Sequence, residues 1–116
     1  VVGLDFILNL KPVTYNYNFK AIDPKSQNNN IRYSGFIAQE VEQTAKKVNY
    51  DFSGVDVPKN ENDFYSLRYA EFVVPIVKSI QEQQKTIEAL KLELELQKQK
   101  NEALEKRLKA IEEKLK

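Results

Sequence analysis

Two periods of hydrophobic residues run through this chain, and the change from one to the other divides it. Leu4, Ile7 and Leu8 stand at helical spacing, with Phe6 and Leu10 widening the stripe, so a helix is predicted from Val1 to Leu10. Lys11-Pro12 ends it, because the residue before a proline is pushed out of the helical region. From Pro12 to Phe19 the period becomes two: Val13, Tyr15, Tyr17 and Phe19 face one way, Thr14, Asn16 and Asn18 the other, as in a half-buried strand. Asp23-Pro24 and the run Ser26 to Asn30 read as a polar loop. Ile31 to Phe36 is a second strand, in which Gly35 marks a close approach or a bulge.

A short helix is predicted from Ile37 to Val48, with Ile37, Val41, Ala45 and Val48 inward. Tyr50 to Phe52 reads as a weak strand, Ser53 to Asp63 as a loop, and Tyr65, Leu67 and Tyr69 as the inner face of a last strand. Helix, two strands, helix, two strands make a small α+β head over residues 1–69. So few residues bury a modest core, and the head is expected to lean on partners.

Residues 70–116 follow a heptad. Its a positions are Val73, Ile80, Ile87, Leu94, Asn101, Leu108 and Leu115; its d positions are Ile76, Gln83, Leu90, Gln97, Leu104 and Ile111. Ten of these thirteen are aliphatic, sustained well past the three or four heptads that make a coiled coil credible. The rod would be roughly 65 Å long. Pro75 fits only if the helix begins near Ala70, so that its missing N–H falls in the first turn or just after.

The flanking charges choose an orientation. In a parallel coil a g residue meets the e residue five positions later on its neighbour, which pairs Glu93 with Lys98, Lys100 with Glu105 and Arg107 with Glu112. Such exposed pairs specify register more than they stabilise, at about 0.3–0.5 kcal/mol each. Ile at both a and d leans away from dimers, and Gln83 and Gln97 at d suit the wider axis of a trimer. Asn101 at a leans towards a dimer, and the pattern as a whole puts the trimer slightly ahead. These three polar seam residues read as register control rather than ligand binding. Leu92 and Leu96 lie off the seam, at f and c, as helix formers or a second contact surface.

Composition closes several doors. Lys and Arg number 18 against 17 Asp and Glu, so no nucleic-acid or anionic-membrane partner is expected from charge. A leucine-zipper DNA binder would also need a basic helix ahead of the coil, whereas Phe64 to Phe72 holds one Arg. Cysteine and histidine are absent, which removes disulfides, thiol nucleophiles, Cys/His zinc sites and His-based triads; no cofactor is expected. No stretch approaches the roughly 20 apolar residues of a membrane span. Val1-Val2-Gly3 has no signal-peptide pattern, and the abrupt apolar opening reads as a fragment of something longer.

Three motifs carry a family resemblance. Leu4-Asp5-Phe6-Ile7-Leu8-Asn9-Leu10-Lys11-Pro12-Val13-Thr14-Tyr15 resembles the opening of the endosialidase C-terminal chaperone family. Gly35-Phe36-Ile37-Ala38-Gln39-Glu40-Val41 is similar to its central motif, and Tyr69, Phe72, Val73, Ile76, Val77, Ile80 and Glu82 to its closing segment. The resemblance implies a homotrimeric module at the end of a phage tail fibre, tailspike or bacterial surface protein. It would align and help fold the fibrous domain upstream in the same polypeptide. A virion or cell-surface location for the parent protein is implied with it.

The family also implies autocatalytic release by a Ser-Lys dyad, in a Ser-Asp-x-x-Leu-Lys segment before the first helix. This sequence lacks that segment: Leu10-Lys11 belongs to the Leu-x-x-Leu-Lys-Pro motif, so no catalytic residue is carried over. Ser26, Ser34, Ser53, Ser66 and Ser79 have no evident base. A self-cleaving peptidase with its catalytic segment upstream, or a passive coiled-coil stalk, are the alternative readings. Gln39 and Glu40 read as a helix N-terminal turn, where an acidic side chain suits the dipole, ahead of a role in the cleavage junction or a subunit contact.

Overall fold

The computed structural model describes residues 1–17 and 31–116, in two compact units, Val1–Ile80 and Gln81–Lys116. Asn18, Phe19 and the Asp23–Asn30 loop lie outside the described residues. Among the described residues the first unit holds α1 (Leu4–Ile7), β1 (Val13–Tyr15), β2 (Tyr33–Gly35), α2 (Ala38–Lys47), β3 (Val55–Asp56), β4 (Ser66–Leu67) and a 3-10 turn (Tyr69–Phe72). The last helix, α3, runs Val73–Lys114 and provides the second unit. The small head of helices and antiparallel strands, then a long C-terminal helix, is the architecture the patterning predicts.

The opening helix is shorter than its apolar stripe. After one turn, Asn9 and Leu10 donate to Phe6 and Ile7, three residues back, at 3.2 Å each, which tightens the helix out of existence ahead of Pro12. The strands that follow pair antiparallel with Val13 opposite Gly35 and Tyr15 opposite Tyr33. Val13 and Tyr15 are half-buried and Thr14 exposed, so the period-two reading holds where the strand is described, whereas Tyr17 is exposed.

Helix α2 buries Val41 and Ala45 and half-buries Val48, while Ile37, its N-cap, is largely exposed. Its end explains a departure from expectation. Asn49 takes a left-handed φ of 56°, and the N–H groups of Asn49 and Tyr50 donate to Lys46 and Ala45 at 3.1 and 2.8 Å. This Schellman arrangement reverses the chain and closes the helix's last carbonyls. It turns Tyr50 and Phe52 onto the core, so their alternation with exposed Asp51 reflects packing and not a hydrogen-bonded ladder. The strand expected at Tyr50–Phe52 is therefore absent. The ladder forms instead at Val55–Asp56, inside the expected loop, against Ser66–Leu67.

That two-residue ladder is clamped by charge. The Arg68 guanidinium donates to both carboxylate oxygens of Asp56 at 2.8 and 2.9 Å, and the Ser66 hydroxyl adds a contact at 3.3 Å. The guanidinium holds the Asp56 carboxyl below its usual range. Asp56 therefore has a lower pKa folded than unfolded, so the clamp stabilises above the unfolded value of about 3.9 and fades as pH falls through the folded one. Asp56→Asn is expected to lower the melting temperature at neutral pH. The gap to the parent should shrink in thermal scans below about pH 4; a gap independent of pH would mean the charge is idle.

The core of the head is aromatic and thin. Phe6 is wholly buried, edge-on to Tyr50 at 5.1 Å between centroids and 4.8 Å from Phe52, which packs T-shaped on Phe72 at 4.8 Å. Val41 and Ala45 complete the buried hydrophobic cluster among the described residues.

Candidate oligomer interface

Helix α3 begins immediately after the 3-10 turn, which places Pro75 in its first turn, where no intrahelical N–H is required. Pro75 is fully buried, and Ser79, buried beside it, donates its hydroxyl to the Pro75 carbonyl at 2.7 Å. Glu40 stands in the first turn of α2, as its acidity suggests.

Every one of the thirteen a and d residues, from Val73 to Leu115, is exposed in the single chain. Ile80, Leu90, Leu94, Leu104 and Leu108 show 57–59% of their surface. An aliphatic stripe exposed along a continuous helix is the kind of apolar surface that marks an interaction site. Gln97 and Asn101, successive polar seam positions, face each other at 3.4 Å along the helix. Glu93, Lys98, Lys100, Glu105, Arg107 and Glu112 are exposed, and among the described residues the intrachain ion pairs are Lys46–Glu42 and Arg68–Asp56, both in the head. Leu92 and Leu96 are also exposed, 64% and 51%.

The head adds a second apolar surface that patterning did not reveal. A groove of about 320 Å³ is walled by Ile7, Leu10, Pro12, Phe36, Tyr69 and Phe72, with Ile76 of α3 at its edge. Phe36 and Phe72 stack at 5.2 Å, nearly parallel, and Tyr69 stacks on both. The Tyr69 hydroxyl oxygen accepts the Phe36 N–H at 3.2 Å, which ties the ring to the backbone just before α2. Gly35 is what lets Tyr69 lie there: a Cβ at position 35 would meet the Tyr69 hydroxyl at 2.6 Å and the Tyr15 ring at 3.0 Å. The close approach expected of Gly35 is thus to a side chain 34 residues along the chain, Tyr69.

Beside it, half-buried Tyr15 and Tyr33 form an aromatic cluster with exposed Tyr17. The hydrogen bond to the Tyr17 hydroxyl, at 3.3 Å, pushes the Tyr15 phenol up to about 12. Among the described residues no group of acidic side chains could hold a metal ion. Nor is any described helix long and apolar enough to cross a membrane.

Residues 1–50 match the family described as chaperone of endosialidase. The match covers α1, the β1–β2 pair and α2, and so contains the first two of the three motifs. Neither a curated protein nor a solved structure matches the chain.

Proposed function

We propose, from the match of residues 1–50 to the family described as chaperone of endosialidase, that this chain is a homotrimerising intramolecular chaperone module that aligns and helps fold a fibrous or surface domain of the same polypeptide. The observation that carries this reading is the exposed a/d stripe of α3, aliphatic at ten of its thirteen positions. A fibre whose chains pair non-locally faces a slow search, because loop closure precedes any reward from contact. A parallel coil removes much of that cost by holding the three chain ends at high effective concentration and in one register. The Glu93–Lys98, Lys100–Glu105 and Arg107–Glu112 pairs favour the parallel arrangement that the task requires. Gln83, Gln97 and Asn101 set the register at the expense of some stability.

The thin core of the head supports the same reading, since a domain this small gains stability when assembly covers its apolar surface. Light scattering at micromolar concentration is expected to give about three times the 13.5 kDa chain mass. A monomer would remove the basis for templated folding, and a clean dimer would remove the three-chain alignment.

A further inference from the structure

The first heptad of α3 differs from those below it. At its b and e positions stand Val74 and Val77, 51% and 47% exposed. The next b and e positions are Gln81 and Gln84, then Glu88 and Lys91, then Glu95 and Lys98. A coiled-coil seam needs only a and d apolar, so the two valines add an apolar flank that the seam does not cover. This flank lies at the level of the head.

The two sides of the helix are not alike. At about 100° per residue, the buried Phe72, Pro75 and Ser79 gather on the g side, against the chain's own head. The groove is lined from the helix by Phe72, on that same side, and by Ile76 next to it. Val74 and Val77 lie on the opposite, e side, with Val73, Ile76 and Ile80 between. In a parallel coil the g side of each helix faces the e side of its neighbour.

We infer that Val74 and Val77 of one copy seat in the head groove of a second copy of this chain. The inference rests on the parallel-coil reading and deepens it by assigning the groove an occupant. The chemistry matches on both sides. The groove's walls carry no charge, and the Tyr69 hydroxyl oxygen already accepts the Phe36 N–H, so an aliphatic occupant meets a predominantly apolar wall. Each head is then clamped to the next helix around the axis, and the groove is complete only in the assembly.

The absence of cysteine in the chain makes cross-linking unambiguous. A tagged chain carrying Val77→Cys is refolded together with an untagged chain carrying Leu10→Cys, and mild oxidation is expected to give a disulfide-linked pair of unlike chains. Ile111→Cys, tested separately, reports the parallel seam by linking like chains. Linkage through position 111 without any between positions 77 and 10 would overturn the groove assignment while leaving the coil intact. Linkage at neither, in a monomeric chain, would overturn both. A double variant that links positions 77 and 10 only within one chain would put the groove's own helix in it and also overturn the assignment.

A second measurement needs no cross-link. Val77→Asp is expected to raise the concentration for half-assembly at least about tenfold, as for losing a buried valine. Gln84→Asp, one heptad lower at the same e position, should leave it within about twofold. Equal shifts for the two would show that position 77 behaves as an ordinary flank residue, and the groove assignment would fall.

Discussion

Phe6→Ala is expected to unfold the head. The ring is wholly buried and touches Tyr50, Phe52 and Phe72, so its removal opens a cavity that the aromatic neighbours are too stiff to fill. Such truncations cost about 3–5 kcal/mol. Native domains have only about 5–15 kcal/mol in hand, and one with a five-residue hydrophobic cluster sits at the low end. Phe6→Leu, which keeps most of the volume, should cost about half as much or less. Dispersed amide resonances of residues in β1, β2 and α2 are the measurement of choice, because far-UV helicity is dominated by the 42 residues of α3. A Phe6→Ala chain that kept those resonances and its melting temperature would place the stability of the head elsewhere.

Replacing Ile80 and Ile87 together with aspartate is expected to dissociate the assembly. Both are a positions, 59% and 44% exposed in the single chain, and both would carry a charge into the covered seam. Burying an unpaired carboxylate costs several kcal/mol for each chain, or forces it to take up a proton. Sedimentation should therefore show monomer at concentrations where the parent is assembled. If neighbouring copies cover the head groove, the head should lose stability in the same concentration-dependent transition. A monomer whose head keeps its amide dispersion and melting temperature would uncouple the two units, and the coil would then act as an appended clamp.

Both substitutions probe what a reader of the sequence could locate in very different degrees. Ile80 and Ile87 are legible at once, because a coiled-coil seam is a local property: each helical residue's face follows from its own position in a repeat of seven. The same holds for Val41 and Ala45 on α2 and for Val13 and Tyr15 on β1, where burial follows the period. The Gly-Phe-Ile-Ala-Gln-Glu-Val stretch at positions 35–41 was equally legible as a family mark, and it falls within the matched residues.

Tyr50 and Phe52 show where local pattern stops. Their alternation is real, but it comes from both rings packing on Phe6, and among the described residues no neighbouring strand supplies the hydrogen bonds that would make a ladder. The strand partner of Ser66–Leu67 is Val55–Asp56, two residues too few to leave a periodic signature and held by the Asp56–Arg68 clamp. The short α1 was decided likewise, by hydrogen bonds three residues back ahead of a proline.

What the amino-acid sequence determined alone is everything that depends on neighbours in the chain: the long helix, the apolar stripe along it, the charges beside it, and the inner faces of α2 and β1. Only the tertiary structure decided that Leu10, Phe36, Tyr69 and Ile76 share one groove, and that Gly35 makes room for the Tyr69 ring. Val74 and Val77 appear in the sequence as two more valines in a helix. They become a flank opposite a groove only when the burial of Phe72, Pro75 and Ser79 shows which side of α3 the head occupies. The physical reason is that periodicity encodes a direction in space for each side chain, but not what waits in that direction. That depends on contacts between residues tens of positions apart, which no local period records.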